Sequence, residues 1–465
     1  MKIQLNRARL ALVAGALGAL AVAGCDRVKN QLLQPQNPGL VDPSAVASAT
    51  ASLALRVGAL GRFKQVLSSG EGTWQSSGDI ADEFQNSDFD QTRINLDMRI
   101  VDPNTSDMWG YNGVTQSRGY IRDAIASMKQ YNPDSTSMIG ELYAELGFFE
   151  MTLADNYCNG IPLGHTIDGV ITYGAPLTDA QVYDSASAHL DTALAYSAKG
   201  TDTYSVYVNR MARVFKARVL TDLGQYSAAA AFVSTASVPT TFTYDMTFSA
   251  TSGTNGMYGL ATSTARIGVA DSFTVISGQQ SVIKNALPFA SSGDPRVQVV
   301  LGSTVGAKPE DQVTSPFYVS NLWKGQYDPM VLASGVDARL TEAEAKLNAN
   351  DIPGMMAILN DLRTNPTRPV IGLITIPTMP ALATPATKDD AITLLFRERG
   401  FWTFGRGQRL ADMRRLVRQY GRADGQVFPT GLYFKGGSYG TDENIPVPNS
   451  EQVNPLFHGC LDRKA

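Results

Sequence analysis

Two short stretches of this chain set aromatic rings among amides and carboxylates, the combination that recognises a sugar. Trp74 stands with Gln75, Asp79, Asp82 and Gln85, and Trp323 stands with Lys324, Gln326, Tyr327 and Asp328. Tyr258, with Asn255, is a weaker third candidate. The C–H face of a pyranose packs on an indole or phenol, while its hydroxyls exchange hydrogen bonds with Asp, Asn, Gln and Arg. The alternative for each ring is that it plugs a loop against the body, since tryptophan is usually largely buried. Trp109 sits on a helical stripe and is expected in the core.

Catalytic patterns are weaker. Asp79, Asp82 and Glu83 could supply the paired carboxylates of a glycoside hydrolase, yet acids in a Gly/Ser-rich stretch are more often solvated or bonded to sugar hydroxyls. His165, His189 and His458 lie far apart, and no His-Glu-x-x-His or Cys-x-x-Cys spacing exists, so no metal or other cofactor is expected. Gly436-Gly437-Ser438-Tyr439-Gly440 has the letters of a nucleophile elbow, but a polar tail follows where a helix is required. No phosphate-cradling Gly-rich loop is present. A formal charge of −4 over 465 residues, with no Lys/Arg run, argues against nucleic acid.

The amino terminus carries its own chemistry. Lys2, Arg7 and Arg9 precede an apolar run, Leu10 to Val22, that is too short to span a bilayer, which predicts a signal peptide over residues 1–24. Val22-Ala23-Gly24-Cys25 resembles the lipobox of bacterial lipoproteins, in which the cysteine is acylated; Cys25 would then anchor the chain to a lipid membrane. Residues 25–42, with Pro35 and Pro38, read as an extended tether. No later stretch reaches the roughly 20 apolar residues of a membrane helix. Cys158 and Cys460 remain, and an exported compartment permits the disulfide expected between them.

The elements that must position these residues are mainly α-helical. An Ala-rich helix from Pro43 to Leu67 carries Val46, Leu53, Val57 and Leu60 at helical spacing, and Ser68 to Asn104 reads as surface loops. Trp109 to Met128 and Ile139 to Leu153 form a helical hairpin across Asn132-Pro133. A second hairpin starts at the cap Thr178-Asp179 and returns through Tyr207 to Leu223. Leu223-Gly224-Gln225-Tyr226, with Ala229 and Phe232, looks like a tetratricopeptide turn, and the unit recurs over Ala338 to Leu362. Residues 43–465 thus read as one body: repeats over about 109–236 and 336–420, a loop-rich insert over about 238–330 with β-prone pieces at Thr241–Tyr244 and Phe273–Ile276, a last helix from Lys388 to Tyr420, and a tail from 421. Arg397, Glu398, Arg399, Asp412, Arg414 and Arg415 are expected to lock the last helix to the repeats.

The order of motifs is similar to that of the SusD/RagB family. It runs from the lipobox through Ala154-Asp155-Asn156-Tyr157-Cys158-Asn159-Gly160-Ile161-Pro162-Leu163 to Glu342-Ala343-Glu344-Ala345. Arg397-Glu398-Arg399-Gly400-Phe401-Trp402, then Gln408 to Arg415, then Ile445-Pro446-Val447-Pro448 with Glu451 and Asn454-Pro455 complete it. Where the family has Glu-Gly before the basic run, this chain has Thr403-Phe404-Gly405-Arg406-Gly407. The resemblance implies a lipoprotein of the outer membrane, facing the cell exterior, with four tetratricopeptide-like hairpins. It would capture glycans, or peptides as some members do, as a lid over a TonB-dependent β-barrel transporter, and it would not be an enzyme.

Overall fold

The computed structural model describes residues 47–167, 170–366, 370–371 and 374–465. The signal peptide, Cys25 and the tether lie outside the described residues. Ser52–Ala465 form one compact unit, and the architecture below is that unit's.

Helix α1 (Ala49–Ser68) buries Ala59, Phe63, Val66 and Leu67. The Phe63 ring lies 4.7 Å from Phe149 and 5.6 Å from Phe148. This bulky contact sets the helix phase, so Leu53 and Val57, expected on the buried stripe, face solvent instead. The stretch expected as surface loops is folded and largely enclosed. It holds α2 (Thr73–Ile80), every residue of which is buried, the strand Phe84–Asn86, and α3 (Gln91–Asp97), capped by Asp90. Its small polar residues act as close-packing residues: a Cβ on Gly78 would stand 2.4 Å from the Phe84 ring.

Helices α4 (Tyr111–Tyr131) and α5 (Thr136–Asn156) form the first hairpin, and α6 (Asp179–Ser197) and α7 (Thr203–Asp222) the second. Thr178 and Gln181 close a capping box at the start of α6. Helix α5 lies against α4, α6 and α7 and is buried from Ile139 to Asn156 except at Tyr143. Gly147 allows the approach of α6, since a Cβ there would meet Leu190 Cγ at 2.8 Å. The chain turns at Gly224, φ +72°, into α8 (Tyr226–Phe232), which packs on α7 and on α9 (Gly335–Asn348). Helix α10 (Ile352–Thr364) pairs with α9.

Between α8 and α9 lies the insert, bracketed by the strand pair Thr243–Met246 and Met330–Ser334. Inside it are short antiparallel ladders separated by irregular chain. Ile267–Val269 pairs with Phe84–Asn86, Val299–Leu301 with Tyr318–Ser320, and Phe273–Ile276 with Gln279–Val282.

The single helix expected from Lys388 to Tyr420 is two, α11 (Lys388–Trp402) and α12 (Arg409–Arg418). The break falls at Gly405 and Gly407, with φ of +70° and +64°, a left-handed conformation that glycine adopts without steric cost. Both press on indoles: a Cβ on Gly407 would lie 2.6 Å from Trp74 Cδ1, and one on Gly405 3.1 Å from Trp323 Cη2.

Buried ion pairs lock these last helices to the repeats. Arg415 binds Glu344, Asp412 at 2.6 Å and Asp222 at 3.2 Å, and Arg399 binds Asp412 at 2.9 Å. Arg414 donates to the Asp155 carbonyl at 2.8 Å and to Asp179 at 2.7 Å. Glu398 holds Arg296 and Arg363 at 2.7 and 3.0 Å. Arg397 instead lies over the Phe401 ring at 5.2 Å. Cys158, just past α5, is bonded to Cys460 with Cα atoms 5.9 Å apart, and the Cys158 N–H donates to the Ile445 carbonyl. The tail is thereby tied to the first hairpin.

Candidate functional site

Three segments distant in sequence meet around a groove of about 520 Å³: the loop after strand Phe84–Asn86, the insert, and the tail at Phe434-Lys435. The pairing of Phe84–Asn86 with Ile267–Val269 fixes the first wall. Beyond it, the Asp88 N–H donates to Asn86 Oδ1 at 2.9 Å and the Asp88 carboxylate binds Arg93 at 2.9 Å. This pins the loop so that Phe89 projects outward, 66% exposed. In the second wall, Asp311 accepts from the N–H groups of Val313 and Thr314 at 3.0 Å, which leaves Val313 at the surface.

Lys435 stitches the walls together. Its Nζ lies 2.7 Å from Asp311 Oδ2 and donates to the Asp88 carbonyl at 2.6 Å, so its charge is neutralised within the wall. Beneath, Asp97 Oδ2 accepts from the Asn86 N–H at 2.7 Å and the Tyr433 hydroxyl at 2.8 Å. Burial pushes this carboxyl up to about 7. Burial likewise pushes Glu83, which accepts from the Gly405 N–H at 3.0 Å, up to about 8.

Asp271 is the half-buried carboxylate of the lining. Its Oδ1 accepts from the Ser272 N–H and the Ser291 hydroxyl, both at 2.8 Å. Its Oδ2 is enclosed and unpartnered, and burial raises the carboxyl above its usual range. Phe89, Phe273, Tyr318 and Phe434 supply apolar and aromatic surface around it. Flat rings beside a few placed polar groups suit a neutral, hydroxyl-rich or amide-rich solute.

Of the residues singled out by sequence, Gln85 lines this groove. Trp74 and Trp323, expected in separate ligand surfaces, come together in the interior with Leu322 and Phe404 around a void of about 10 Å³. Both indoles are buried; they close α2, the insert and the α11–α12 break onto one another. Gln75 donates to Asp79 at 3.1 Å, and both are enclosed. Asp82 is gripped by Arg409 through both oxygens, at 2.7 and 2.9 Å. With Asp79 and Glu83 buried beside it, these acids present no pair that a substrate could reach, which removes the basis for the hydrolase alternative. Gln326 and Tyr327 are exposed and Tyr258 is half-buried. The Asn255 N–H donates to the Gln326 carbonyl at 2.8 Å and its side chain to the Asp328 carbonyl at 3.0 Å, which ties the segment bearing Gln326 and Tyr327 to the one bearing Tyr258, apart from the groove lining.

Sequence reasoning missed Phe89, Asp271, Tyr318, Phe434 and Lys435. Phe89 had a signal, a lone aromatic between Asp88 and Asp90, where a core residue would be out of place. The others become neighbours only through long-range pairing. Among the described residues, no group of three His, Cys, Asp or Glu side chains could hold a metal ion.

No family model and no curated protein matches the sequence. Solved structures do. A SusD superfamily protein from Bacteroides vulgatus superposes with a TM-score of 0.61 at 15% identity, covering 89% of this chain and 99% of that one. The fold is that of the SusD superfamily. A SusD-like carbohydrate-binding protein from Bacteroides vulgatus aligns over 89% of this chain and 98% of its own, with a TM-score of 0.58 at 14% identity. The surface glycan-binding protein A of Bacteroides thetaiotaomicron gives 0.61 at 12% identity over 90% and 99% of the two chains. The SusD fold thus accounts for the helical repeats, the insert and the tail together.

Proposed function

We propose that this protein is a non-catalytic, lipid-anchored nutrient-binding protein of SusD/RagB type that captures an oligosaccharide in the groove. The observation that carries the reading is the exposed Phe89 ring in a groove that Gln85, Asp271, Tyr318 and Phe434 also line, held on a SusD fold. A sugar stacked on Phe89 would donate a hydroxyl to Asp271, and Gln85 would meet a second hydroxyl. Similarity to a carbohydrate-binding and a glycan-binding protein supports that ligand class. Tyr258, Gln326 and Tyr327 serve as an accessory contact patch.

Acylation at Cys25 would hold the body at the outer membrane with its binding face outward. No helix among the described residues is long and apolar enough to cross a membrane, in keeping with anchoring by acyl chains. A TonB-dependent β-barrel is the proposed recipient of the ligand. Titration calorimetry of the leader-free protein against a panel of neutral oligosaccharides tests the reading. At least one should bind, Phe89→Ala and Asp271→Asn should each weaken it tenfold or more, and no reducing ends should appear. Failure of the whole panel, or release of product sugars, would overturn it.

A further inference from the structure

The charges around the groove do not cancel. Among the described residues, the cations that line it or pair with its lining are Lys435, Arg93 and Arg266, and each is engaged. Lys435 Nζ is held by Asp311 at 2.7 Å. Arg93 binds Asp88 at 2.9 Å and also Glu71. Arg266 is gripped by Glu310, whose two oxygens accept from its Nε at 2.7 Å and its Nη2 at 3.2 Å, and it lies 3.4 Å from Asp88. Asp271 has no such counter-charge. Among the described residues its hydrogen-bond partners are the Ser272 N–H and the Ser291 hydroxyl, both neutral.

A carboxylate without a counter-ion shapes what the groove can take. Covering it with a neutral solute strips water from the charge and returns only hydrogen bonds, whereas an ammonium group returns an opposite charge as well. An anionic solute finds no cation with charge to spare. Asp271 meets solvent through Oδ1, whose bond from Ser291 is exposed, while Oδ2 is enclosed. Oδ1 is therefore the oxygen that faces a ligand. The rings favour the same sign of charge, because the negative face of an aromatic ring attracts a cation. Lys435 lies over the Phe434 ring at 5.4 Å, and Phe89 stands exposed in the same lining.

We infer that the groove selects an amino sugar, an otherwise neutral glycan with a free amine that is carried as an ammonium and sits against Asp271 Oδ1. This rests on the glycan reading and adds the charge class of the ligand. The ammonium takes the place of the hydroxyl donor at Asp271, and its own or a neighbouring sugar ring stacks on Phe89. An acetylated amine keeps one N–H donor and loses the charge, so it forfeits the ionic part of the contact. A uronate or a sulfate brings a second negative charge to a groove whose cations are all paired. The ligand class is thus a hexosamine oligosaccharide with at least one unacetylated amine, and acidic glycans are turned away.

The test is calorimetry of the leader-free protein at pH 6 with three β-1,4-linked tetrasaccharides, of glucosamine, of N-acetylglucosamine and of glucose. Salt at about 0.3 M screens the general attraction of an acidic protein for a polycation. The glucosamine form should bind at least tenfold more tightly than either neutral form. Asp271→Asn keeps an acceptor oxygen and removes the charge, and it should bring the glucosamine form to within about twofold of the acetylated one. A tetrasaccharide of galacturonate should not bind measurably. A glucosamine form no tighter than the neutral ones would overturn the inference, as would an advantage that survives Asp271→Asn or a galacturonate form that binds as well as the glucosamine form. If Asp271→Asn fails to fold, the four saccharides on the unaltered protein still decide. Neutral glycans that bind with no preference for the amine would sink this inference alone, whereas failure of every saccharide would sink the glycan reading and this inference with it.

Discussion

Replacing Arg415 by Met should cost about 3–5 kcal/mol of stability, the loss expected when a buried ion pair is broken by removing one partner. The guanidinium is 1% exposed and faces three carboxylates at once, Glu344, Asp412 and Asp222, while lying 5.2 Å from the Phe396 ring. Met fills much of the volume, so the packing loss is small and the unpaired charges dominate. Arg399 remains within 2.9 Å of Asp412 and 3.6 Å of Glu344 and rescues part of the balance. Asp222, already pushed up to about 7 by burial, would take up a proton more readily still. Urea unfolding followed by circular dichroism reads the change. The acid limb gives a second reading. Against the upward push of burial, Arg399 and Arg415 pull Asp412 from 3.8 down to about 2. A depressed carboxyl contributes stability above its unfolded value that is lost as pH falls through the folded one. The variant, with Asp412 less depressed, should therefore lose less between pH 4 and pH 2. A destabilisation under about 1 kcal/mol, with an unchanged acid limb, would refute the claim that this network joins α12 to the repeats.

Gly407→Ala should destabilise by about 2–4 kcal/mol, combining a left-handed alanine with a Cβ driven against Trp74; an unchanged melting temperature would contradict the packing described. Asp97 gives a pH signature of opposite sign to Asp412. Its carboxyl sits at about 7 against 3.8 when unfolded, so the folded state keeps a proton that the unfolded state gives up. Its contribution is largest below pH 4, declines by a few kcal/mol up to pH 7 and is flat beyond. Asp97→Asn should remove that slope, which stability curves at pH 5 and pH 7.5 would show. Changing Cys158 and Cys460 to Ser opens a link across 302 residues and should cost about 2–5 kcal/mol, seen as a lower urea midpoint that reductant no longer moves.

The helical frame was legible because its signals are local. The 3.6-residue stripes of α4 and α5, the Thr178 cap and the Gly224 turn each stand in the sequence where the structure uses them. The charged motif Arg397 to Arg415 was readable as a lock because alternating charge beside Phe396, Phe401 and Trp402 has few other uses. Two things escaped. The polar composition around Trp74 suggested loops, whereas Gly78, Gly405 and Gly407 let α2 and the α11–α12 break approach so closely that the indoles are enclosed. Composition alone cannot tell small residues that pack from small residues that are solvated. The groove escaped because its parts, Phe89, Asp271, Tyr318 and Lys435, are brought together by strand registers and by the Lys435 contacts to Asp311 and Asp88, none of which leaves a periodic trace. Of the hairpin in the insert, the β-prone run Phe273–Ile276 was legible, and its pairing with Gln279–Val282 was not.

A crystal structure of the leader-free protein soaked with the tightest-binding oligosaccharide tests the central claim most directly. The account predicts sugar density in the groove, with one ring stacked on Phe89 and a hydroxyl within hydrogen-bond distance of the Asp271 carboxylate. Sugar bound elsewhere, for instance stacked on Tyr327 with the groove left empty, would contradict it.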